Sequence, residues 1–298
     1  MEVLSNAFRF GFLVFVTLFV LAEAFWLIHR RGKSYPVDQA VASFAVAFIR
    51  NGINALTVGM SGGLMLWVYE HRLFTFDITG PVTLFGAFLA VEFFYYWHHR
   101  FTHEVRWLWA THAVHHSPAE MNLSVAVRLG WTSLLSGSIL FFAPLALLGI
   151  HPVAVFALMS AGLVYQFWIH TELVPRFGKL DRVLNTPSNH RVHHASNPKY
   201  LDKNYGSVLM IFDVIFGTYA AEEEGVPIQY GITEPMISSN PFKIALFEWG
   251  RMIRDVKKAR SVRDVFGYLF GRPGWRPHQE PLRLLAFQPQ DATNAPSA

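Results

Sequence analysis

Histidines concentrate in a few short stretches of this chain. His99 and His103 are four residues apart, in an HxxxH pattern. Two HxxHH patterns follow, with members His112, His115, His116, His190, His193 and His194. Side chains three or four residues apart share one face of a helix. Each pattern therefore predicts two or three imidazoles directed at one point.

The number of these imidazoles indicates a site for two metal ions. Neutral imidazole is the commonest protein metal ligand, and with His170 the nine histidines exceed the four ligands of one zinc ion. The chain has no cysteine, which excludes disulfides, iron–sulfur clusters and cysteine zinc sites. Imidazole suits zinc, copper, iron and nickel. We favour two iron ions, because iron with O2 can attack an inert C–H bond.

Other residues are assigned supporting roles. His98 is expected to face away from His99, and His29, His71, His151 and His278 are interpreted as polar caps. A metal-bound histidine usually donates its second N–H to a carboxylate or a carbonyl. Polar residues near the patterns that are predicted to orient the ligands in this way are Glu92, Glu104, Asn122, Glu172, Asp202 and Asn204.

The composition is typical of a membrane protein. Hydrophobic residues make up 52% of the chain and charged residues 15%, with a mean hydropathy of +0.26. Soluble domains carry roughly 25% charged residues. The mild net charge of +4 is interpreted as cytoplasmic loops near lipid headgroups and not as a nucleic-acid interface.

Apolar segments long enough to cross a bilayer predict an all-α fold. Residues 10–28, 41–69 and 76–97 are candidate spans, and residues 129–171 contain no charged side chain. Gly149 and Pro152 interrupt the last segment, which predicts a helical hairpin of two spans. We expect an integral-membrane helical bundle of about four to five membrane-embedded helices. A cytoplasmic helical cap is expected to carry the histidine-rich dimetal site.

Basic residues predict the orientation and the domain boundaries. If HRRGK after the first span is cytoplasmic, all the histidine stretches fall on the cytoplasmic face of a multi-pass protein. Residues 1–80 are predicted to be N-terminal membrane helices and residues 81–235 the catalytic core. Residues 236–298 form a basic cytoplasmic C-terminal segment, with a disordered tail predicted from Pro281.

The motifs YYWHHRFTHE, HAVHHS and NHRVHHASN resemble the histidine boxes of the fatty acid hydroxylase / sterol desaturase superfamily of integral-membrane di-iron enzymes. Longer segments, such as EMNLSVAVR and FDVIFGTY, resemble the alkylglycerol monooxygenase group within it. The resemblance runs from about residue 81 to residue 235. It implies that the iron ligands are His99, His103, His112, His115, His116, His170, His190, His193 and His194.

The predicted function is O2-dependent hydroxylation of a lipid, which is fatty acyl, alkylglycerol or sterol-like. Electrons are expected from a separate donor, either a pterin or an electron-transfer protein. A desaturase on the same scaffold is an alternative. A zinc-dependent membrane hydrolase is a second alternative, although the HExxH motif of such enzymes does not occur. A metal carrier is a third, although a carrier would place its ligands near the bilayer midplane.

Overall fold

The computed structural model of the protein describes residues 2–277, with side chains from residue 11 onward. The first two helices are α1 (Glu2–Arg31) and α2 (Val37–Glu70). Gly11–Arg31 and Val37–Glu70 are long and apolar enough to cross a membrane. Leu21, Phe48 and Leu56 are among their exposed apolar side chains. Exposed apolar surface of this extent is typical of a membrane contact.

Two further helices, α3 (Pro81–Glu104) and α4 (Arg106–His116), are separated by one extended residue, Val105. Pro81 occupies the first position of α3, where a proline lacks only an N–H that a helix leaves unpaired. A 3-10 helix, Leu123–Val127, follows α4. The single extended residue lets the chain turn sharply, so that histidines near the end of α3 lie opposite histidines on α4.

Residues 129–171 do not form the predicted hairpin of two spans. The segment contains α5 (Ser133–Ser136), a 3-10 turn (Ser138–Phe141), α6 (Ala143–Leu147) and α7 (Pro152–Trp168). Gly137 and Gly149 have positive φ and separate the short pieces. A Cβ at Gly149 would clash with the carbonyl oxygen of Phe74. The first half is therefore a broken segment, and only α7 is a long helix.

The remaining helices are short or amphipathic. They are a 3-10 helix (Gly178–Arg182), α8 (Pro187–His193), α9 (Ile211–Ile215), α10 (Pro241–Val256) and α11 (Val262–Phe270). Within residues 2–277, β pairing is limited to isolated bridges such as Leu184 with Leu209. The predicted all-α class is confirmed. His278 and the tail from Pro281 lie outside the described residues.

Two apolar contacts position the histidine-bearing helices. Met65, Val91, Leu145 and Val155 pack together and join α2, α3, α6 and α7. At the second contact, Ala110 of α4 packs against Trp249 and Met252 of α10. Helix α4 also contacts α3, so it is held between α3 and α10.

Candidate metal centre

Helix α3 brings the first two histidines to one buried face. His99 and His103 are one helical turn apart, and both side chains are buried. Their rings lie 5.4 Å apart between centroids. The ring of Tyr95, one turn before His99, lies 5.4 Å from the His99 ring. The HxxxH spacing thus forms the face that the sequence predicted.

Helix α8 begins directly before the last histidine pattern because three polar residues fix its start. Thr186 is the N-cap and accepts a bond from the amide of Asn189, and Pro187 follows at the first helical position. The Thr186 hydroxyl also donates to Asp181 at 2.6 Å. His190 and His193 lie on α8 and His194 caps it. His170 lies two residues beyond the end of α7, at Trp168.

The nine histidines form two adjoining groups. In each group the ligand nitrogens lie within 4.8 Å of one another. The first group is His99, His103, His112, His116 and His193, and the second is His115, His170, His190 and His194. The rings of His116 and His194 stack at 4.2 Å and connect the two groups.

This division corrects the expectation that all imidazoles of one HxxHH pattern converge on one point. On α4, His112 and His116 enter the first group, whereas His115 enters the second. On α8 the assignment is reversed, because His190 and His194 enter the second group and His193 enters the first. Side chains at i and i+4 differ by about 40° around a helix, whereas i and i+3 differ by about 60° in the opposite sense. Each helix therefore contributes to both groups.

Within each group the Nε2 nitrogens approach closely. In the first group, His112 Nε2 lies 3.0 Å from His99 Nε2 and 3.1 Å from His116 Nε2. In the second, His190 Nε2 lies 2.8 Å from His170 Nε2 and 3.1 Å from His194 Nε2. Such convergence of lone-pair nitrogens is the arrangement that a metal ion stabilises.

In three histidines the second ring nitrogen bonds to a backbone carbonyl and not to one of the predicted carboxylates. His99 Nδ1 lies 2.8 Å from the Tyr205 oxygen and His193 Nδ1 lies 3.0 Å from the Lys203 oxygen. His170 Nδ1 lies 2.6 Å from the Gln166 oxygen. A carbonyl oxygen accepts a hydrogen bond only from an N–H, so Nδ1 carries the proton of each neutral ring. Nε2 therefore keeps its lone pair, which faces the group.

Burial keeps these rings neutral. Burial lowers the pKa of His112, His190 and His193 well below the usual range of histidine. The neighbouring imidazoles lower it further, because two adjacent positive charges repel one another. The Nε2 atoms of His103 and His193 are buried and have no hydrogen-bond partner among the described residues. Neutral, unpartnered nitrogens are suitable metal ligands.

Three of the predicted orienting residues lie in or contact the loop that supplies the Lys203 and Tyr205 carbonyls. Asp202 and Asn204 have φ values of 58° and 59°, in the left-handed region that asparagine and aspartate tolerate. Asp202 lies 3.8 Å from His103 Nδ1. The Asn204 side chain bonds to the backbones of Asn189 and Ala220. Glu92 accepts from the amides of residues 208 and 209.

The other three predicted orienting residues bind elsewhere. Glu104 pairs with Arg100 and Arg272. Glu172 pairs with Lys33. Asn122 caps the 3-10 helix Leu123–Val127 by accepting from the Ser124 amide, and the Tyr35 hydroxyl donates to it. The described contacts of these three side chains do not include a histidine of either group.

The other histidines within residues 11–277 lie outside both groups. His98 is packed against Phe141 and Phe142, as expected from its position beside His99. His151 is the N-cap of α7, where its side chain accepts from the Val153 amide. The His29 ring contacts the Phe25 ring at 4.5 Å between centroids, and His71 bonds to the Trp67 carbonyl.

Glu23 is a polar residue whose role the sequence did not reveal. It is buried on α1, where it accepts from the Leu123 amide at 2.6 Å and from the Thr171 hydroxyl. Thr171 follows His170, and Leu123 begins the 3-10 helix that ends at Val127. Its only sequence signal is a single acidic residue in an apolar span, which is costly unless it has partners.

A small cavity of about 50 Å³ touches both histidine groups. His99 and His112 of the first group line it, and so do His115 and His170 of the second. Its other lining residues are Tyr95, Ala126, Leu129, Leu163, Gln166 and Phe167. The Tyr95 hydroxyl donates to Gln166 at 2.8 Å. The cavity therefore has one polar pair, an apolar wall and four imidazoles.

A comparison with known protein families matches the region of the chain that contains both histidine groups. Residues 84–218 match the fatty acid hydroxylase family model. Residues 84–218 are therefore similar to a fatty acid hydroxylase domain. The predicted resemblance is thereby confirmed, and all nine grouped histidines lie within the matched domain.

Relatives of the fatty acid hydroxylase domain include lipid-modifying enzymes. The chain is 41% identical to an alkylglycerol monooxygenase from Homo sapiens, over 76% of this chain and 50% of the relative. It is 43% identical to an alkylglycerol monooxygenase from Danio rerio, over 78% of this chain and 51% of the relative. An ornithine lipid hydroxylase from Rhizobium tropici is 34% identical over 49% of this chain and 44% of the relative.

The similarity to the relatives is partial in length. The chain spans about half the length of the alkylglycerol monooxygenases from Homo sapiens and Danio rerio. No solved structure gives a significant match to the chain.

Proposed function

We propose that this chain is a membrane-bound di-iron oxygenase that inserts one oxygen atom of O2 into a C–H bond of a lipid. The observation that carries the proposal is the convergence of nine buried imidazoles in two adjoining groups. A single zinc site needs at most four such ligands. One iron would be held by the first group and the other by the second.

The number and spacing of the nitrogens support a metal ion in each group. The closest Nε2 pairs within the groups are 2.8 to 3.2 Å apart. The first group would hold one ion through five histidines and the second group would hold the other through four. When bound, the irons would supply the oxidising chemistry.

The reaction requires two electrons from outside the described residues. One C–H bond becomes C–OH and the second oxygen leaves as water, so that the lipid and O2 consume two electrons and two protons. We propose a pterin or an electron-transfer protein as the donor. The chain itself would orient the ligands through the Tyr205, Lys203 and Gln166 carbonyls and would exclude water by burial.

The small cavity supports a route for an apolar chain from the membrane. Leu163 lines the cavity and is 44% exposed on the outer surface of α7. An alkyl or acyl chain that passes Leu163 would bring a carbon to the four lining imidazoles. The names of the relatives, alkylglycerol monooxygenase and ornithine lipid hydroxylase, support a lipid substrate. Desaturation at the same carbon is the alternative outcome.

We also propose a multi-pass topology with the histidines on the cytoplasmic face. Helices α1, α2, α3 and α7 would be the membrane-embedded helices, and residues 81–235 the catalytic core. The basic residues in the last turn of α1 support this orientation. Residues 1–80 would supply the N-terminal membrane helices, and residues 236–298 the basic cytoplasmic segment.

The testing experiment measures iron per chain and O2-dependent lipid oxidation on the purified full chain. We expect about two irons, in agreement with two ligand groups. His112→Ala should remove mainly the iron of the first group and His115→Ala mainly that of the second, and both variants should lose turnover. Mössbauer spectra of the two variants should therefore differ from each other.

His151→Ala is the matched control. His151 caps α7 outside both groups, so this variant should keep its iron and its turnover and should lose only about 1 kcal/mol of helix stability. One tightly held zinc with hydrolytic turnover, or exchangeable ions without turnover, would contradict the proposal. These two results would favour a hydrolase and a carrier, respectively.

A further inference from the structure

Helix α10 has three distinct faces. Its buried face packs against α4 and α2 through Ile244, Trp249 and Met252. A second face carries Phe242, Leu246 and Ile253, which are 45% to 59% exposed and fall within about 40° around the helix. The third face is cationic, with Lys243, Arg251 and Arg254, and Lys257 and Lys258 follow directly after the helix ends at Val256. The apolar stripe thus lies between the buried face and the cationic face.

Helix α11 continues this apolar surface. Val262, Phe266 and Phe270 are 49% to 73% exposed and fall within about 80° around the helix. Tyr268 is buried on the opposite side, where its ring contacts Trp275 at 5.3 Å. Both helices of this pair therefore expose a narrow row of large apolar side chains while their other faces are packed or charged.

The charge of this helix pair is strongly positive. Residues 241–270 contain seven lysines and arginines and three acidic residues. Two of the acids, Glu248 and Asp255, pair with Arg106 of α4 at 3.3 Å and 2.7 Å. Arg251 and Lys258 also pair with these two acids, but lysines and arginines still outnumber acidic residues in the helix pair by seven to three. Such a surface attracts an anionic partner.

The exposed stripe adjoins the charge-free segment 129–171. The ring of Trp131 packs on Phe242 at 5.4 Å, and Trp249 Nε1 donates to the Thr132 hydroxyl at 2.9 Å. Leu135 and Leu140, in the same segment, are exposed apolar residues. The stripe of α10 is therefore part of a larger apolar surface that also includes the broken segment.

We propose that α10 and α11 lie in the membrane–water interface, with both apolar rows among the acyl chains and the cations on anionic lipid headgroups. A helix with an apolar row beside a lysine- and arginine-rich face is typical of interfacial binding. Charge complementarity and the adjoining charge-free segment favour a bilayer over a protein partner. The proposal goes beyond the oxygenase assignment and does not depend on which metal is bound.

The consequence concerns the height of the histidine groups above the bilayer. Ala110 and Val114 of α4 pack on α10 through Trp249 and Ile244. The same helix carries His112, His115 and His116. A bilayer contact along α10 would therefore hold α4 at a constant depth relative to the lipid headgroups.

The test uses the absence of cysteine from the chain, which makes every introduced cysteine unique. Ile253→Cys and Arg254→Cys are adjacent on α10 and differ by about 100° around the helix. The full chain would be labelled with a nitroxide at either position and reconstituted in phosphatidylcholine vesicles with or without phosphatidylglycerol. Power saturation then compares the collision of each label with O2 and with a water-soluble nickel chelate.

We expect the label at 253 to collide mainly with O2 and the label at 254 mainly with the nickel chelate. Phosphatidylglycerol should move the label at 253 deeper, and Lys257→Glu should reduce this movement. A label at 253 as accessible to nickel as the label at 254 would overturn the proposal. So would a label shielded from both reagents, or spin–spin broadening between chains, since either result indicates a protein contact. Because none of these readings involves iron, they are independent of the oxygenase test.

Discussion

His99 Nδ1 lies 2.8 Å from the carbonyl oxygen of Tyr205, which is 106 residues later in the chain. The bond connects a histidine of α3 to a loop outside the histidine boxes. The loop has its required shape because Asn204 adopts a left-handed conformation and bonds to two other segments. Ligand orientation in the first group therefore depends on a residue that is not a ligand.

Asn204→Ala should release this loop. Alanine is strained at a φ of 59°, and its methyl group leaves the Asn189 and Ala220 backbone groups unpaired. We expect a loss of about 3 kcal/mol in the free energy of unfolding. Iron bound by the first group should decrease more than iron bound by the second, which Mössbauer spectroscopy of the purified variant can measure.

Asp202→Gly is the control for this variant. Asp202 has nearly the same φ, but its side chain is 43% exposed, and glycine adopts positive φ without strain. We expect unchanged iron content and a change in stability below about 1 kcal/mol. If Asp202→Gly loses as much iron as Asn204→Ala, the contact between Asp202 and the His103 ring is more important than the loop conformation.

Glu23→Ala should uncouple α1 from the histidine centre. The variant leaves the buried Leu123 amide and Thr171 hydroxyl without their acceptor. Each unpaired buried group costs about 1 to 3 kcal/mol, so we expect lower stability and reduced turnover. Glu172→Ala provides the comparison, because Glu172 is partly exposed and pairs with exposed Lys33. An exposed pair contributes below about 1 kcal/mol, and equal losses in both variants would contradict a special role for Glu23.

The sequence predicted which histidines converge because the HxxxH and HxxHH spacings are local properties of a helix. It did not predict that His115 and His193 cross to the opposite groups, since this depends on how α4 and α8 face each other. It also could not identify the Tyr205 and Lys203 carbonyls, because every residue has a carbonyl. The broken segment before Gly149 was predicted as a span because short and long apolar helices have the same hydropathy.

Leu163→Trp should obstruct the proposed route of the lipid. Leu163 lines the cavity beside the histidines, and an indole there would fill a space of about 50 Å³. We expect lipid turnover to fall by about tenfold, equivalent to roughly 1.4 kcal/mol of barrier, with unchanged iron. Val164→Trp is the matched control, since Val164 is also 44% exposed on α7 but does not line the cavity. Equal losses in the two variants would exclude a specific route past Leu163.

Asp213 should produce a measurable pH dependence of stability. Burial raises its pKa to about 6, and this effect outweighs the bonds from Thr218 and from the Tyr205 and Gly206 amides, which lower it. In the unfolded chain the pKa is about 3.9. The folded protein therefore binds a proton more tightly, and the resulting stability is complete below about pH 4 and is lost as the pH rises through about 6. The difference of about two pKa units corresponds to about 3 kcal/mol.

Asp213→Asn should remove this part of the pH profile, because asparagine does not titrate. The amide can still accept from two of the three donors, so the variant should fold, although the third donor would face its NH2 group. Unfolding by denaturant in detergent, measured between pH 4 and pH 7 for both proteins, should give curves that diverge across this range. The wild type should lose stability relative to the variant as the pH rises. Parallel curves would show that Asp213 has the same proton affinity in the folded and unfolded chains, because only a difference between those two affinities produces a slope.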